Sequence, residues 1–292
     1  MLNYDMPLYR PPSEGNNLII QATLGCSFNQ CSFCSMYRSK EYKARPLTEI
    51  FADIDRAAQG WPEASRVFLA DGDALALPTP DLLKILEKLA ATLPKLTRVS
   101  CYATPSNLLR KKPEELSKLR QAGLNLLYFG IETGDRLLLK KITKGATPRS
   151  LNEALHKAKE AKLKISATVI LGIGGSAHWQ EHIDGTVALL NSAPVTYLST
   201  LQLFLEPEVQ QEFVEKFGEP FRPQDDHAIL LEQKRLIAGL DPPNPVIFRS
   251  NHASNALALA GNLPKDRKRL LAQIDRVLNG EAGMRPRHVR GF

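Results

Sequence analysis

Short, almost wholly apolar runs alternate along this chain with longer stretches whose apolar positions recur every three to four residues. The runs are Leu18 to Ala22, Arg66 to Ala70, Arg98 to Ala103, Leu124 to Ile131, Lys164 to Leu171 and Val195 to Leu205. Each is short for a helix and apolar on both faces, which predicts six strands of a parallel sheet covered on two sides. Between them the helical period predicts Leu47 to Ala58, with Ile50, Phe51, Ile54 and Ala57 on one face, and a helix capped by Thr79 with Pro80 at its first position that buries Leu82, Leu83, Ile85, Leu86 and Leu89. Further helices are expected at Pro113 to Gln121, Asp135 to Ile142, Thr147 to about Lys162, and His178 to Ser192. Strand and helix alternate six times between Asn17 and Glu206, the pattern of an α/β domain. Periodicity alone leaves a flat doubly wound sheet and a curved partial barrel equally open.

Beyond Glu206 the alternation stops. Gln224 to Gly239 reads as helix, Val246 to Phe248 as a short strand, and Pro264 to Asn279 as an amphipathic helix with Leu270, Leu271, Ile274 and Leu278 as its stripe. The expected organisation is an irregular N-terminal strap over residues 1–16, the βα domain over 17–206, an α-rich cap over 207–283, and a flexible basic tail over 284–292. Residues 1–15 are polar and proline-bearing, unlike a signal peptide, and no apolar run is long enough to span a bilayer. A soluble, cytoplasmic protein with no membrane partner is expected.

The formal charge of +7 is uneven: from Leu263 to Phe292 eight basic side chains face three acidic ones. Such a patch could meet RNA or an anionic partner. No aromatic residues interleave with the charges as a stacking platform requires, so a solvated helix face and tail is the favoured reading.

The chemistry concentrates at Cys26-Ser-Phe-Asn-Gln-Cys31-Ser-Phe-Cys34, directly after the first strand, which holds three of the four cysteines. The intervening Ser27, Asn29, Gln30 and Ser32 are polar, which suits a ligand loop better than packing thiols or a disulfide. Three thiolates can hold an iron–sulfur cluster that keeps one iron open for another ligand. A closed zinc site would need a fourth ligand, and the first histidine of the chain is His156. Cys101, isolated on a strand, reads as a core residue.

Three strand ends carry further candidates. Asp71-Gly72-Asp73 ends the second strand and, taken alone, is an ordinary turn sequence. Gly130-Ile-Glu132-Thr-Gly134 ends the fourth, and a carboxylate there costs several kcal/mol to desolvate unless hydroxyls or a helix end satisfy it. Ala167-Thr-Val-Ile-Leu-Gly172-Ile-Gly-Gly175 ends the fifth, where glycines let backbone pass close to a flat ring and Ile170, Leu171 and Ile173 offer an apolar wall. Arg249 to Asn255 is richer in hydrogen-bonding side chains than a turn requires, with His252 as a possible proton donor.

Taken together these motifs resemble the radical S-adenosylmethionine superfamily, in the branch that includes oxygen-independent coproporphyrinogen oxidases and methylthiotransferases. The cysteine spacing departs from the usual one by an extra residue in the first gap. The resemblance implies a (βα)6 partial barrel of TIM type with a C-terminal extension, and a [4Fe-4S] cluster on Cys26, Cys31 and Cys34, with Phe33 as the aromatic residue before the last cysteine. It also implies S-adenosylmethionine as second cofactor. Asp71, Gly72 and Asp73 would hold its methionine amino group, Gly130 and Glu132 its ribose side, and Thr168, Ile170, Gly172 and Ile173 its adenine. The activity implied is reductive cleavage of S-adenosylmethionine, fed by an external one-electron reductant, and hydrogen abstraction from an unidentified small molecule. The rival reading is a non-catalytic zinc or iron–sulfur module that binds RNA or another anionic partner.

Overall fold

The computed structural model describes residue 2 and residues 4–290. Among the described residues its principal sheet has eight strands, and a separate ribbon has two. The chain falls into two compact units. One holds the chain up to Asn29, Cys34–Phe129 and His156–Ile165; the other holds Gln30–Phe33, Gly130–Leu155 and the chain from Ser166.

In the first unit β1 (Leu18–Gln21) leads into β2 (Thr23–Leu24), the cysteine loop and β3 (Lys43–Ala44), followed by α1 (Leu47–Gly60), β4 (Arg66–Ala70), α2 (Thr79–Thr92) and β5 (Arg98–Ala103). Next come α3 (Pro105–Arg110), α4 (Pro113–Gln121) and β6 (Leu124–Glu132). Strands β1, β4, β5 and β6 run parallel, with Phe68 level with Ser100 and Ser100 with Leu126. Helix α3 is an addition to the expected pattern: six residues are too few to show a period, but Thr104 and Asn107 form a reciprocal capping box that starts it. Phe68, Tyr102 and Tyr128 meet edge to face on one side of the sheet. The expected strap is anchored there by Glu14, a fully buried carboxylate that accepts from Arg98 at 2.8 Å, Ser100 at 3.0 Å, Tyr128 at 2.6 Å, and Asn17.

The second unit holds the end of β6, then α5 (Arg136–Lys141), much of α6 (Pro148–Glu160) and of β7 (Lys164–Leu171), and α7 (Trp179–Ser192) and β8 (Tyr197–Gln202). After these the chain forms α8 (Pro207–Phe217), α9 (Asp226–Gly239), β9 (Val246–Ser250), β10 (Leu259–Leu263) and α10 (Arg267–Leu278). Phe213, Phe217, Leu138, Ile142, Ile170 and Ile173 form a buried apolar cluster.

Two expectations about this region change. The segment 207–283 is not a cap apart from the sheet: β9 pairs in parallel with β8, and β10 in antiparallel with β9. The alternation of buried Leu259, Gly261 and Leu263 with exposed Ala260 and Asn262 was a strand period masked by residues of low β-propensity. Nor are the described residues of the 284–292 tail loose. Arg285 N–H donates to Ala256 O at 2.7 Å, and Arg290, 5% exposed, places two nitrogens on Asp226 at 2.8 and 2.7 Å. The last two residues of that segment lie outside the described ones. Among the described residues no helix is long and apolar enough to cross a membrane.

Candidate functional site

The cysteine loop is braced by its own polar residues. Asn29, in a left-handed conformation, donates its amide to Tyr37 O at 2.8 Å, and Arg38 Nε donates to Cys34 O at 3.0 Å. These bonds hold the backbone around the cysteines without using the thiols. Cys26, Cys31 and Cys34 are partly exposed, whereas Cys101 is fully buried and its thiol is pushed well above its usual pKa by desolvation, as befits a core residue. Among the described residues no group of three or more His, Cys, Asp or Glu is arranged to hold a metal ion. A mononuclear zinc site needs ligands converging on one point, whereas a polynuclear cluster takes one thiolate per iron. Within the second unit Ser32 N–H donates to Ile142 O at 3.0 Å, and Phe33 packs on the apolar cluster that contains Ile170 and Ile173. Ile170 and Ile173 are both buried in that cluster, so their side chains belong to the core and do not form the open apolar wall expected of them; Thr168 on β7 is part-exposed.

At the end of β4 both aspartates are fully buried, and each has an Oδ1 without a hydrogen-bond partner. Asp71 differs in that its Oδ2 already has a cation, Lys40 Nζ at 2.9 Å. Gly72 is required because a Cβ there would stand 2.5 Å from the Tyr37 ring. Asp73 is also fully buried; its Oδ2 accepts from Ser27 and from Asn107 at 3.4 Å, while Oδ1 has no partner. Burial, opposed by these bonds, raises its carboxyl to about 6. A buried oxygen with no donor is where a cationic group would be stabilised.

At the end of β6 Glu132 adopts φ +63°, and its side chain folds back over Gly130 to meet Lys144 Nζ at 2.8 Å. The next residue, Thr133, receives the Asp135 N–H at 3.0 Å on its hydroxyl and lies 2.8 Å from His182 Nδ1. At the end of β7 Gly172 takes φ +83°, and its N–H donates to Glu232 Oε2 at 2.5 Å. A Cβ on Gly172 would come within 2.8 Å of Ile229, so α9 lies directly against this turn. His182 and Glu232 are fully buried; desolvation lowers the imidazole to about 3 and raises the carboxyl to about 8. Lys144, His182 and Glu232 were not evident from the sequence, since nothing local marks a lysine, a histidine or a glutamate as the partner of a distant strand end.

His252 is half-buried. Its Nδ1 accepts from Ser254 N–H at 3.1 Å and lies 2.8 Å from Ser254 Oγ, while burial and then Arg285 lower its pKa. The ring therefore stabilises its own loop, and Arg285 caps that loop by donating to His252 O and Ala253 O, each at 3.1 Å.

Residues 20–185, more than half of the chain, match the family model described as the Radical SAM superfamily. The heme chaperone HemW of Bacillus subtilis is 23% identical over 210 residues, covering 69% of this chain and 55% of that protein. A putative methylthiotransferase of Methanocaldococcus jannaschii is 21% identical over 227 residues, 73% of this chain and 45% of that one. This chain thus spans about half the length of these curated relatives. Among solved structures, the radical S-adenosylmethionine methyltransferase TsrM of Kitasatospora setae aligns with a TM-score of 0.53 at 19% identity, over 64% of this chain and 37% of its own. That likeness establishes a common fold.

Proposed function

This chain belongs to the radical SAM superfamily, and we propose on that premise that it is a radical S-adenosylmethionine enzyme acting on a small molecule. Cys26, Cys31 and Cys34 would hold a [4Fe-4S] cluster, leaving one iron for S-adenosylmethionine. When bound, the two cofactors supply an electron and a source of hydrogen-abstracting radical.

The observation that carries this reading is the braced loop that presents three partly exposed thiols. The orphaned, buried Asp73 Oδ1 adds a place for a methionine ammonium. Glu132 offers a carboxylate to ribose hydroxyls, and the strand end that leads into the Gly172 turn, with part-exposed Thr168, would receive the adenine. The protein's own part is to bind, orient and exclude water. The loop of His252 and the strand end at Gln202 supply polar groups on the substrate side. Gln202 Nε2 donates to Asp226 at 3.1 Å there. Low reduction potentials place such an enzyme in a reducing compartment, with an external one-electron donor.

Anaerobic reconstitution tests the reading. About four irons and four sulfides should bind per chain. Cys26→Ala, Cys31→Ala and Cys34→Ala should each lose the cluster, and Cys101→Ala should keep it. Stoichiometric zinc in place of iron would instead support the metal-binding module.

A further inference from the structure

The buried pair of His182 and Glu232 takes no part in the steps above, yet it joins the two turns that those steps use. The two side chains are fully buried, come from different helices, and approach to 3.9 Å between His182 Nε2 and Glu232 Oε1. Those two atoms are the ones that have no hydrogen-bond partner. Their other ends are committed: His182 Nδ1 to Thr133 Oγ1, next to Glu132, and Glu232 Oε2 to the Gly172 amide. Each turn is also held a second time. Thr186, one helical turn on from His182, accepts the Gly134 N–H at 2.9 Å, and Ile229, one turn before Glu232, packs against Gly172. The two helices are themselves clamped by Arg235, which donates twice to Asp184 at 2.7 Å.

We propose that His182 and Glu232 are positioning residues that tie the turn carrying Glu132 to the turn carrying Gly172, and so set the spacing that receives the nucleoside half of S-adenosylmethionine. The inference rests on the function proposed above. Packing alone would be served better by apolar side chains, because two orphaned polar atoms in a dry interior cost free energy. At 3.9 Å Oε1 and Nε2 face each other without a hydrogen bond, and burial favours the uncharged acid facing the uncharged imidazole. The connection runs from Thr133 through His182 and Glu232 to Gly172, and neither of its hydrogen bonds is made to a cysteine-loop residue. A fault in it therefore falls on the adenosine end of the ligand and spares the methionine end.

The test separates the two halves. Reconstituted, cluster-replete protein is titrated with 5′-methylthioadenosine and with L-methionine by calorimetry, for wild type, Glu232→Leu, Glu232→Gln and Thr133→Val. Glu232→Leu and Thr133→Val should each bind 5′-methylthioadenosine about tenfold more weakly and L-methionine as wild type does, the loss expected for a misplaced hydrogen bond. Glu232→Gln keeps an acceptor for Gly172 and a donor for His182 and should restore nucleoside affinity. If Glu232→Leu does not fold, Thr133→Val, which removes only a hydroxyl, carries the test. Equal weakening of both ligands, or of neither, in folded Thr133→Val overturns the positioning role. Wild-type protein that holds no cluster or binds neither ligand overturns the proposed function itself.

Discussion

Glu132 lies so tightly over Gly130 that a Cβ added at Gly130 would stand 1.9 Å from Glu132 Oε1 and 2.8 Å from Lys144 Nζ. The glycine is thus the floor of an ion pair, and the left-handed backbone at Glu132 turns the carboxylate onto it. Gly130→Ala should drive the carboxylate away from Lys144 and from any ribose it serves, leaving the cysteines in place. S-Adenosylmethionine affinity should fall about ten- to a hundredfold, the worth of one hydrogen bond to a charged group, with unchanged iron content. Unaltered affinity in the folded variant would mean that Glu132 and Lys144 pair only with each other.

Asp73 makes a prediction about pH. Its carboxyl sits near 6 in the folded chain against an ordinary value of 3.8, so the native state binds the proton more tightly than the unfolded state does. Stability of the cofactor-free protein should therefore be greatest below about pH 4 as far as this group is concerned, and decline as pH rises towards 6. The loss amounts to up to about 3 kcal/mol. Asp73→Asn keeps an acceptor for Ser27 and Asn107 and cannot ionise. Denaturant unfolding at pH 7 should show it more stable than wild type, while L-methionine binding weakens because no negative charge meets the ammonium. A variant no more stable at pH 7 than its parent would show that Asp73 is already solvated or paired.

What could be read in advance follows from how far apart the interacting residues lie. The parallel strands of the βα units announce themselves because they are short, largely apolar runs of four to nine residues, and the cysteines because they share one loop. Helix α8 also left a trace, buried Val209, Phe213 and Phe217 at four-residue spacing, in a segment where the βα alternation had ended. The bridge from Thr133 to His182 spans 49 positions and that from Gly172 to Glu232 spans 60, and neither has a local period. Counting charges likewise showed a basic terminus but could not show that Asp226, 64 positions earlier, receives Arg290.

The N-terminal segment can be weighed by Glu14. Four donors converge on a carboxylate with no exposure, so removing it would leave Arg98, Ser100 and Tyr128 with unmet groups around a void. Glu14→Ala should cost about 3–5 kcal/mol in urea unfolding, as for loss of one partner in a buried ion pair. Glu14→Gln, which keeps the shape and one acceptor, should cost less. Similar stability for all three proteins would show that the segment merely lies on the surface.

The C-terminal segment is the sharpest departure from the charge pattern. Arg290 is bidentate to Asp226, the first residue of α9, and its Nε donates to Arg285 O at 2.9 Å. Arg285 in turn holds the loop of His252. Exposed ion pairs contribute little, but this guanidinium is nearly buried and bonds the Asp226 carboxylate and the Arg285 carbonyl. A double-mutant cycle with Arg290→Ala and Asp226→Asn should give a coupling of about 1–3 kcal/mol that persists at high salt. Deleting residues 284–292 should lower stability by a similar amount and open the 250–256 loop to proteolysis. Its iron content should stay at the wild-type level, because the cysteine loop is braced by Asn29 and Arg38. A coupling near zero, with the loop still protected in the truncated protein, would return the segment to the solvated tail that its charges alone predicted.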